Sequence, residues 1–235
     1  MCGRFVLASS NATILELFGL TESVSFPRRY NIAPGQNILA VRQDENRGTR
    51  AGVMLRWGLV PSWTASGGSN IGIVNARSET VAEKRSFRDA FNARRCLVPA
   101  DGYYEWQRRG KHKQAHFVYR ASRAIFAMAG IWNSHRTSDG EIIETCAILT
   151  TAPNDLVSRF HDRMPLIIGD EDYPLWLNSK VRDTEALGLL MRPFPSDELA
   201  SHPVSSLVND NRHDSPRCIE RSTEKTPVQG RLFKT

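Results

Sequence analysis

The chemistry that this chain could carry out begins at its second residue, because a cysteine directly follows the first methionine. Removal of Met1 would leave Cys2 with a free α-amine beside its thiol, a combination that no internal cysteine offers. The amine, with an ordinary pKa of about 8, and the thiol, at about 8.5, are both partly deprotonated near neutral pH. Together they could condense with an aldehyde, first to an imine and then to a five-membered thiazolidine ring; the thiolate alone could instead attack an acyl carbon. The alternative is that Cys2 is a small buried residue at the start of a strand.

A short apolar run delivers two polar residues, Asn75 and Arg77, to the start of a predicted helix. The Asn75 amide could hydrogen-bond an oxygen or orient a reacting group. The Arg77 guanidinium could hold a phosphate. The alternative is that they are a turn asparagine and a surface arginine.

A carboxylate stands among aromatic residues in the stretch Tyr103-Tyr104-Glu105-Trp106, which we predict to be a strand. An apolar setting raises the pKa of a carboxyl group and suits it to proton transfer near neutral pH. Strand alternation equally allows Glu105 to face outward or to pair with an arginine, so both possibilities stay open.

A histidine, His161, follows a predicted short helix over residues 153–160. The helix dipole favours the imidazolium form at a C-terminal end, so His161 could serve as a general acid or base, or could only cap the helix. Arg163 is a second candidate for a phosphate contact. Trp63, next to a Gly-rich loop over 64–70, could stack on bases or wedge between them.

Apolar periodicity predicts the elements that position these side chains. A helix over 14–18 ends at Gly19, a loop covers 22–36, and further helical stretches cover 78–94 and 183–191. Strands are predicted over 38–42, 51–60, 95–99, 102–107, 116–120, 124–132, 142–150 and 164–168. Their lengths and turns favour antiparallel pairing, so the predicted fold class is α+β: a single domain with a mainly antiparallel, barrel-like β core surrounded by short helices.

Composition limits the possible functions. The 235-residue chain has a net charge of +6 and a pI of about 9.4, which favours a polyanionic partner. No run approaches the roughly 20 apolar residues of a membrane span, and no secretory signal is recognisable, so a cytoplasmic protein without membrane contact is expected.

Neither a cofactor nor a metal is expected from the residues. The four cysteines are far apart and form no CxxC pair, which fits a reducing compartment. His112 and His116 are four residues apart but fall in a predicted turn and strand.

From about residue 209 apolar residues thin out, which predicts a domain over 1–208 and a polar, peripheral or flexible tail over 209–235.

Taken in order, seven motifs resemble those of the SOS response-associated peptidase (SRAP) family of abasic-site processing proteins. They are Met1-Cys2-Gly3-Arg4-Phe5, Arg29-Tyr30-Asn31-Ile32-Ala33-Pro34-Gly35, Trp57-Gly58-Leu59-Val60-Pro61, Asn75-Ala76-Arg77-Ser78-Glu79-Thr80, Cys96-Leu97-Val98-Pro99-Ala100-Asp101-Gly102-Tyr103-Tyr104-Glu105-Trp106, Ala129-Gly130-Ile131-Trp132 and His161-Asp162-Arg163-Met164-Pro165. The resemblance implies the SRAP fold and an abasic-site sensor. Such a protein would form a covalent thiazolidine crosslink to DNA through Cys2 after autocatalytic removal of Met1. The crosslink would shield the strand from cleavage, with slow or single turnover.

The resemblance also implies a role for individual residues. Cys2 matches the family's nucleophile, and Asn75, Glu105 and His161 match its other active-site positions. The side chains expected to contact DNA are Arg4, Arg77, Arg163, Arg85, Trp63, Asn31 and Pro34. The implied partner is single-stranded DNA with abasic sites, including single-strand/double-strand junctions, bound by a monomer that joins the nucleoid when on DNA.

Three other functions remain open. An N-terminal-nucleophile glutaminase also starts with Cys-Gly, but the Asn-Gly pair that it typically uses for the oxyanion does not occur in this chain. A cysteine peptidase could combine Cys2 with His161 and Glu105. A non-catalytic module for single-stranded DNA would bind reversibly, with an affinity that falls as salt rises.

Overall fold

A computed structural model of the protein describes residues 2–44, 47–61, 63–64, 71–110, 112–137, 140–182 and 184–222. Its strands are β1 (Phe5–Leu7), β2 (Arg29–Ile32), β3 (Asn37–Asp44), β4 (Thr49–Trp57), β5 (Asn75–Arg77), β6 (Arg95–Ala100), β7 (Gly102–Arg109), β8 (His112–Arg120), β9 (Phe126–Arg136), β10 (Ile142–Thr151), β11 (Met164–Pro165), β12 (Ile167–Ile168) and β13 (Leu199–Pro203). The helices are α1 (Asn11–Phe18), α2 (Arg88–Ala93), α3 (Tyr173–Leu177) and α4 (Thr184–Gly188).

Five strands close into a barrel in the order β10-β4-β3-β6-β9, because β9 also pairs with β10. The β9–β10 ladder is antiparallel, whereas β10 meets β4 in parallel at Thr145↔Arg56. Closure leaves these strands without a free edge. All six residues of β6 are buried, since one face fills the barrel and the other is covered by neighbours such as α3. The predicted α+β domain with a mainly antiparallel, barrel-like core is confirmed.

A second antiparallel sheet, in the order β13-β8-β7-β1-β2, brings the start of the chain against β7. Its two faces alternate as strand geometry requires. Tyr103 and Val118 belong to the main core, whereas Tyr104 and Phe117 belong to a smaller cluster on the opposite face. Because β1 pairs with β7 at Phe5↔Tyr103, the segment that carries Cys2 lies beside the strand that carries Glu105.

The predicted first helix is confirmed, and its ends follow from local chemistry. Ser10 caps α1, because its hydroxyl accepts the Thr13 N–H at 3.2 Å. Gly19 ends α1 in the left-handed conformation, with φ at 60°, which glycine adopts without steric cost. Within the described ranges, no helix is both long and apolar enough to cross a membrane.

The other predicted helices are shorter than expected. The helix predicted over 153–160 is wrong: only a 3₁₀ turn, Val157–Arg159, forms there. The Asn154 side chain accepts the Val157 N–H at 3.0 Å, so a side chain takes the place of a helical backbone acceptor. The stretch predicted as helical over 78–94 contains a 3₁₀ turn, Ser78–Thr80, and then α2.

The segment that we name the C-terminal latch, residues 208–222, packs against β2 and β13. Cys218 is buried, and His202 Nε2 lies 2.8 Å from the Ile219 carbonyl. The Asp214 carboxylate accepts the backbone N–H groups of Tyr30 and Asn31. Residues 209–222 of the segment predicted to be a peripheral or flexible tail thus contact distant parts of the chain, which supply burial that the local composition does not predict. The rest of that prediction, 223–235, lies outside the described residues.

Candidate active site

Cys2 is fully buried at the junction of the barrel and the second sheet. Its Sγ lies 4.0 Å from Met128 Sδ on β9, and its carbonyl accepts the Asn75 side-chain N–H at 3.0 Å. The chain that leads from it is held on β7, because the Tyr104 N–H donates to the Arg4 carbonyl at 3.0 Å. Burial and the nearby Glu105 carboxylate raise the pKa of the Cys2 thiol well above its usual range. At neutral pH the resting group is therefore a thiol.

Asn75 reaches Cys2 because β5 pairs in parallel with β10 at Ile148↔Asn75. Its Nδ2 donates a hydrogen bond to the Cys2 carbonyl. Its Oδ1 is buried and has no hydrogen-bond partner among the described residues. A buried acceptor without a donor is unfavourable, so this oxygen is available to a group that arrives beside Cys2.

Glu105 is 2% exposed on β7 and faces the main core. Burial raises its pKa from 4.5 to about 7. The open question of its orientation is thus answered: the carboxylate points inward. A group with this pKa can both accept and return a proton near neutral pH.

His161 follows the 3₁₀ turn and lies at the partly exposed edge of the site. Its Nδ1 is 2.7 Å from an Asp162 carboxylate oxygen and accepts the Arg163 backbone N–H at 3.0 Å. These contacts suit two different protonation states, since imidazolium would donate to Asp162 and neutral imidazole accepts from Arg163. Burial lowers the pKa of His161, so the neutral state is favoured. The predicted dipole effect is wrong, because no helix ends there.

A second histidine, which sequence reasoning considered only as a metal ligand, connects these elements. His116 on β8 stands directly opposite Glu105 in the β7–β8 ladder, so both side chains share one face. Its ring stacks on Phe160 with centroids 4.3 Å apart, and Phe160 precedes His161. The Gln107 amide donates to the Arg159 carbonyl at 3.0 Å. Strand register, which the sequence does not reveal, brings these contacts together.

Two predicted phosphate contacts differ in how free their side chains are. Arg77 is exposed and lies two residues beyond Asn75 on β5. Arg163 is 14% exposed, holds both Glu79 carboxylate oxygens at 2.5 and 2.9 Å, and donates to the Thr150 carbonyl. These bonds lower the pKa of Glu79. Arg77 is therefore ready for an anion, whereas Arg163 would have to share its guanidinium with Glu79.

Asn31, a predicted DNA contact, has its side chain engaged within the protein. Asn31 is fully buried, and its Nδ2 donates to the carbonyls of Val208, Asp210 and His213. Its Oδ1 accepts from Arg4 at 2.8 Å. Asn31 thus holds the C-terminal latch, because pairing between β1 and β2 turns its side chain inward.

Arg4 is also committed to structure. Besides Asn31, its guanidinium donates to the Val208 carbonyl at 2.8 Å and the Asn209 carbonyl at 3.3 Å. Burial lowers its pKa. A phosphate contact by Arg4 would be added to, or would replace, these bonds.

The remaining predicted DNA contacts lie on loops. Trp63 is 54% exposed, and the Arg85 guanidinium stacks over its ring at 5.0 Å. The pair offers a flat aromatic surface and a positive charge together. Pro34 is half-buried in the turn after β2. In the part of the chain that the structure describes, no three His, Cys, Asp or Glu side chains gather as a metal site.

The chain is similar to known proteins over most of its length. A family model described as SOS response associated peptidase (SRAP) matches residues 1–211. A Bacillus subtilis (strain 168) protein named abasic site processing protein YoqW is 41% identical over 224 residues, covering 94% of this chain and 99% of that protein. A Gallus gallus protein named abasic site processing protein HMCES is 35% identical over 204 residues, or 76% of this chain and 60% of that protein. A solved structure from Bacteroides thetaiotaomicron has the same fold, with a TM-score of 0.83 at 24% identity, covering 94% of this chain and 100% of that one.

Proposed function

Because the chain belongs to the SOS response associated peptidase (SRAP) family, we propose that it processes abasic sites in DNA by forming a thiazolidine crosslink through Cys2. The names of its bacterial and vertebrate relatives support abasic DNA as the substrate class. One observation carries the proposed chemistry: the second residue of the chain is a cysteine, enclosed with Asn75 at its carbonyl and Glu105 nearby. Single-stranded DNA, including junctions, is the proposed form of the substrate.

The reaction requires that Met1 be removed, because an acylated nitrogen cannot form an imine. The free Cys2 amine then attacks C1 of the ring-opened abasic sugar, an aldehyde, and one water leaves to give the imine. The Cys2 sulfur adds to the same carbon, the C=N electron pair moves to nitrogen, and the thiol proton ends there. The thiazolidine ring replaces the aldehyde. The β-elimination that would break the DNA strand is therefore blocked.

Glu105 is the proposed proton carrier for imine formation. With a pKa of about 7, it can take a proton from the ammonium of Cys2 and return it to the hydroxyl that leaves as water.

His161 is the proposed acid for opening the sugar ring. In the imidazolium form, Nδ1 donates to Asp162, 2.7 Å away, and Nε2 can give its proton to the ring oxygen. The neutral imidazole that remains accepts the Arg163 N–H at Nδ1. Asn75 would orient the Cys2 end through Nδ2 and receive the incoming amine or sugar hydroxyl at Oδ1.

The test is a denaturing gel of Met1-free protein incubated with a labelled single-stranded oligonucleotide that carries one abasic site. Wild-type protein should give a shifted band, Cys2→Ala none, and an intact oligonucleotide none. Cys2→Ser keeps the amine but loses the thiol, so it should yield a stable band only when cyanoborohydride reduces the imine. Cys146→Ala, at a buried internal cysteine, is the matched control and should behave as wild type. A DNA remnant located by mass spectrometry on any residue other than Cys2 would contradict the proposal.

A further inference from the structure

We propose that Tyr103 is a further catalytic residue, whose phenolic hydroxyl donates a hydrogen bond to the sulfur of Cys2 as the thiazolidine ring closes. The inference rests on the proposed function and deepens it, because it names a group that serves the thiol half of the reaction.

The strand register places Tyr103 beside both reacting partners. It lies two residues before Glu105 on β7, so the two side chains share one face of the strand. It is also the cross-strand partner of Phe5 on β1, three residues after Cys2. Tyr103 is thus fixed between the carboxylate and the start of the chain.

Contacts with β9 also place Tyr103 near Cys2. The Tyr103 ring meets Phe126 edge-on, with centroids 6.4 Å apart, and the Cys2 sulfur lies 4.0 Å from the Met128 sulfur. Phe126 and Met128 are two residues apart on one strand, so they share a face. The Tyr103 ring and the Cys2 thiol therefore pack on adjacent positions of that face.

The hydroxyl of Tyr103 is fully buried and has no hydrogen-bond partner among the described residues. The neighbouring tyrosine differs, because the Tyr104 hydroxyl donates to the Tyr30 carbonyl at 2.7 Å. An unpaired buried hydroxyl is unfavourable, which indicates a partner that forms during the reaction. Burial, with Glu105 and Cys2 nearby, raises the pKa of Tyr103, so the phenol keeps its proton and stays a donor.

Ring closure supplies such a partner. The carbon–sulfur bond forms while the thiol proton passes to nitrogen, and sulfur gains negative charge as that proton leaves. A buried site disfavours this charge. A phenol hydrogen bond to sulfur stabilises it, and Tyr103 gives up no proton in the balanced step.

Tyr103→Phe tests the inference, because it removes a single oxygen and keeps the ring. In Met1-free protein, we expect the rate of stable crosslinking to fall by about tenfold or more, since hydrogen bonds to charged groups are among the strongest. Imine formation needs no sulfur, so the fraction of complex that cyanoborohydride traps as a secondary amine should rise. The melting temperature should stay the same or rise, because the resting hydroxyl has no described partner.

Tyr104→Phe is the matched control, with the same atom removed on the opposite face. It should lower the melting temperature and leave the crosslinking rate unchanged. An unchanged rate in Tyr103→Phe overturns the inference, as does a lower rate accompanied by a lower melting temperature, which would mean a structural hydroxyl. Absence of a crosslink in wild-type protein would instead refute the proposed function, so the two failures are distinguishable.

Discussion

Glu105 is the residue whose titration links the stability of the fold to the proposed reaction. Its side chain is buried opposite His116, and its pKa rises from 4.5 to about 7. A carboxyl group with a raised pKa binds a proton more tightly in the folded than in the unfolded state. Its contribution to stability is therefore present at low pH and declines as the pH rises from about 4.5 to about 7.

Replacement of Glu105 by Gln should make the protein more stable at pH 8 and slower to crosslink. The wild type should lose up to about 3 kcal/mol of unfolding free energy between pH 5 and pH 8 relative to Glu105→Gln, because a shift of this size corresponds to that energy. The measurement is urea unfolding at both pH values, with gel-based rates in parallel. Equal pH dependence in the two proteins would show that the carboxyl group is not held in a low-dielectric site.

At the scale of elements, the β7–β8 ladder holds the turn that carries His161. The contact is an aromatic stack of His116 on Phe160, supported by the bond from Gln107 to the Arg159 carbonyl. The position of His161 therefore depends on a strand distant in sequence.

Removal of the ring at His116 should loosen this turn. We expect His116→Ala to slow crosslinking several-fold at saturating DNA, whereas His116→Phe, which keeps a ring against Phe160, should retain more activity than Ala. Rates on the abasic oligonucleotide measure both. The control is His112→Ala, at an exposed position on the same strand. Equal rates in the wild type, both His116 variants and His112→Ala would rule out a contribution from the stack.

The C-terminal latch is a second element whose hold on the domain can be measured. Asn31→Ala leaves three backbone carbonyls without their buried donor, so we expect a loss of about 2–4 kcal/mol. Limited proteolysis should then cut within 208–222. Asn37→Ala, at an exposed position, should change neither. If Asn31→Ala instead keeps full stability but loses DNA binding, the residue has the contact role that its burial argues against.

At the scale of the whole molecule, the net charge of +6 acts on the encounter with DNA. Charge attracts the phosphate backbone before the reaction and is screened by salt. The proposed reaction at C1 would take place beside the buried Cys2, where screening by salt is weak. Binding and reaction should therefore respond differently to salt.

Half-saturation of crosslinking should move to higher protein concentration as salt increases, while the rate at saturation stays nearly constant. Arg77→Gln should reduce the slope of log affinity against log salt by about 0.7, the value for one phosphate contact on single-stranded DNA. Titrations at four salt concentrations give the slopes. The control is Arg47→Gln, which removes a charge that pairs with Glu22 on an exposed turn. If Arg47→Gln changes the slope as much as Arg77→Gln does, the net charge and not a phosphate contact is responsible.

Much of this protein follows from its sequence because the relevant interactions are local or ordered along the chain. The cysteine after Met1 is enough to suggest the proposed amine–thiol pair without any knowledge of the fold. Gly19 gives the end of α1 correctly, since a left-handed residue acts within one turn, whereas the observed start at Asn11, capped by Ser10, precedes the predicted start at residue 14. The aromatic residues around Glu105 leave its orientation open, and the structure shows it buried. The order of the motifs is enough to identify the family.

The tertiary structure decided which polar side chains are free. Asn31 is buried by a latch about 180 residues away, Arg163 is held by Glu79, and His161 follows a 3₁₀ turn where Asn154 accepts a backbone N–H. Each outcome depends on which distant strands pair and in what register. Local propensity cannot encode that, because the free energy of burying a polar group depends on partners that only the folded chain brings into contact.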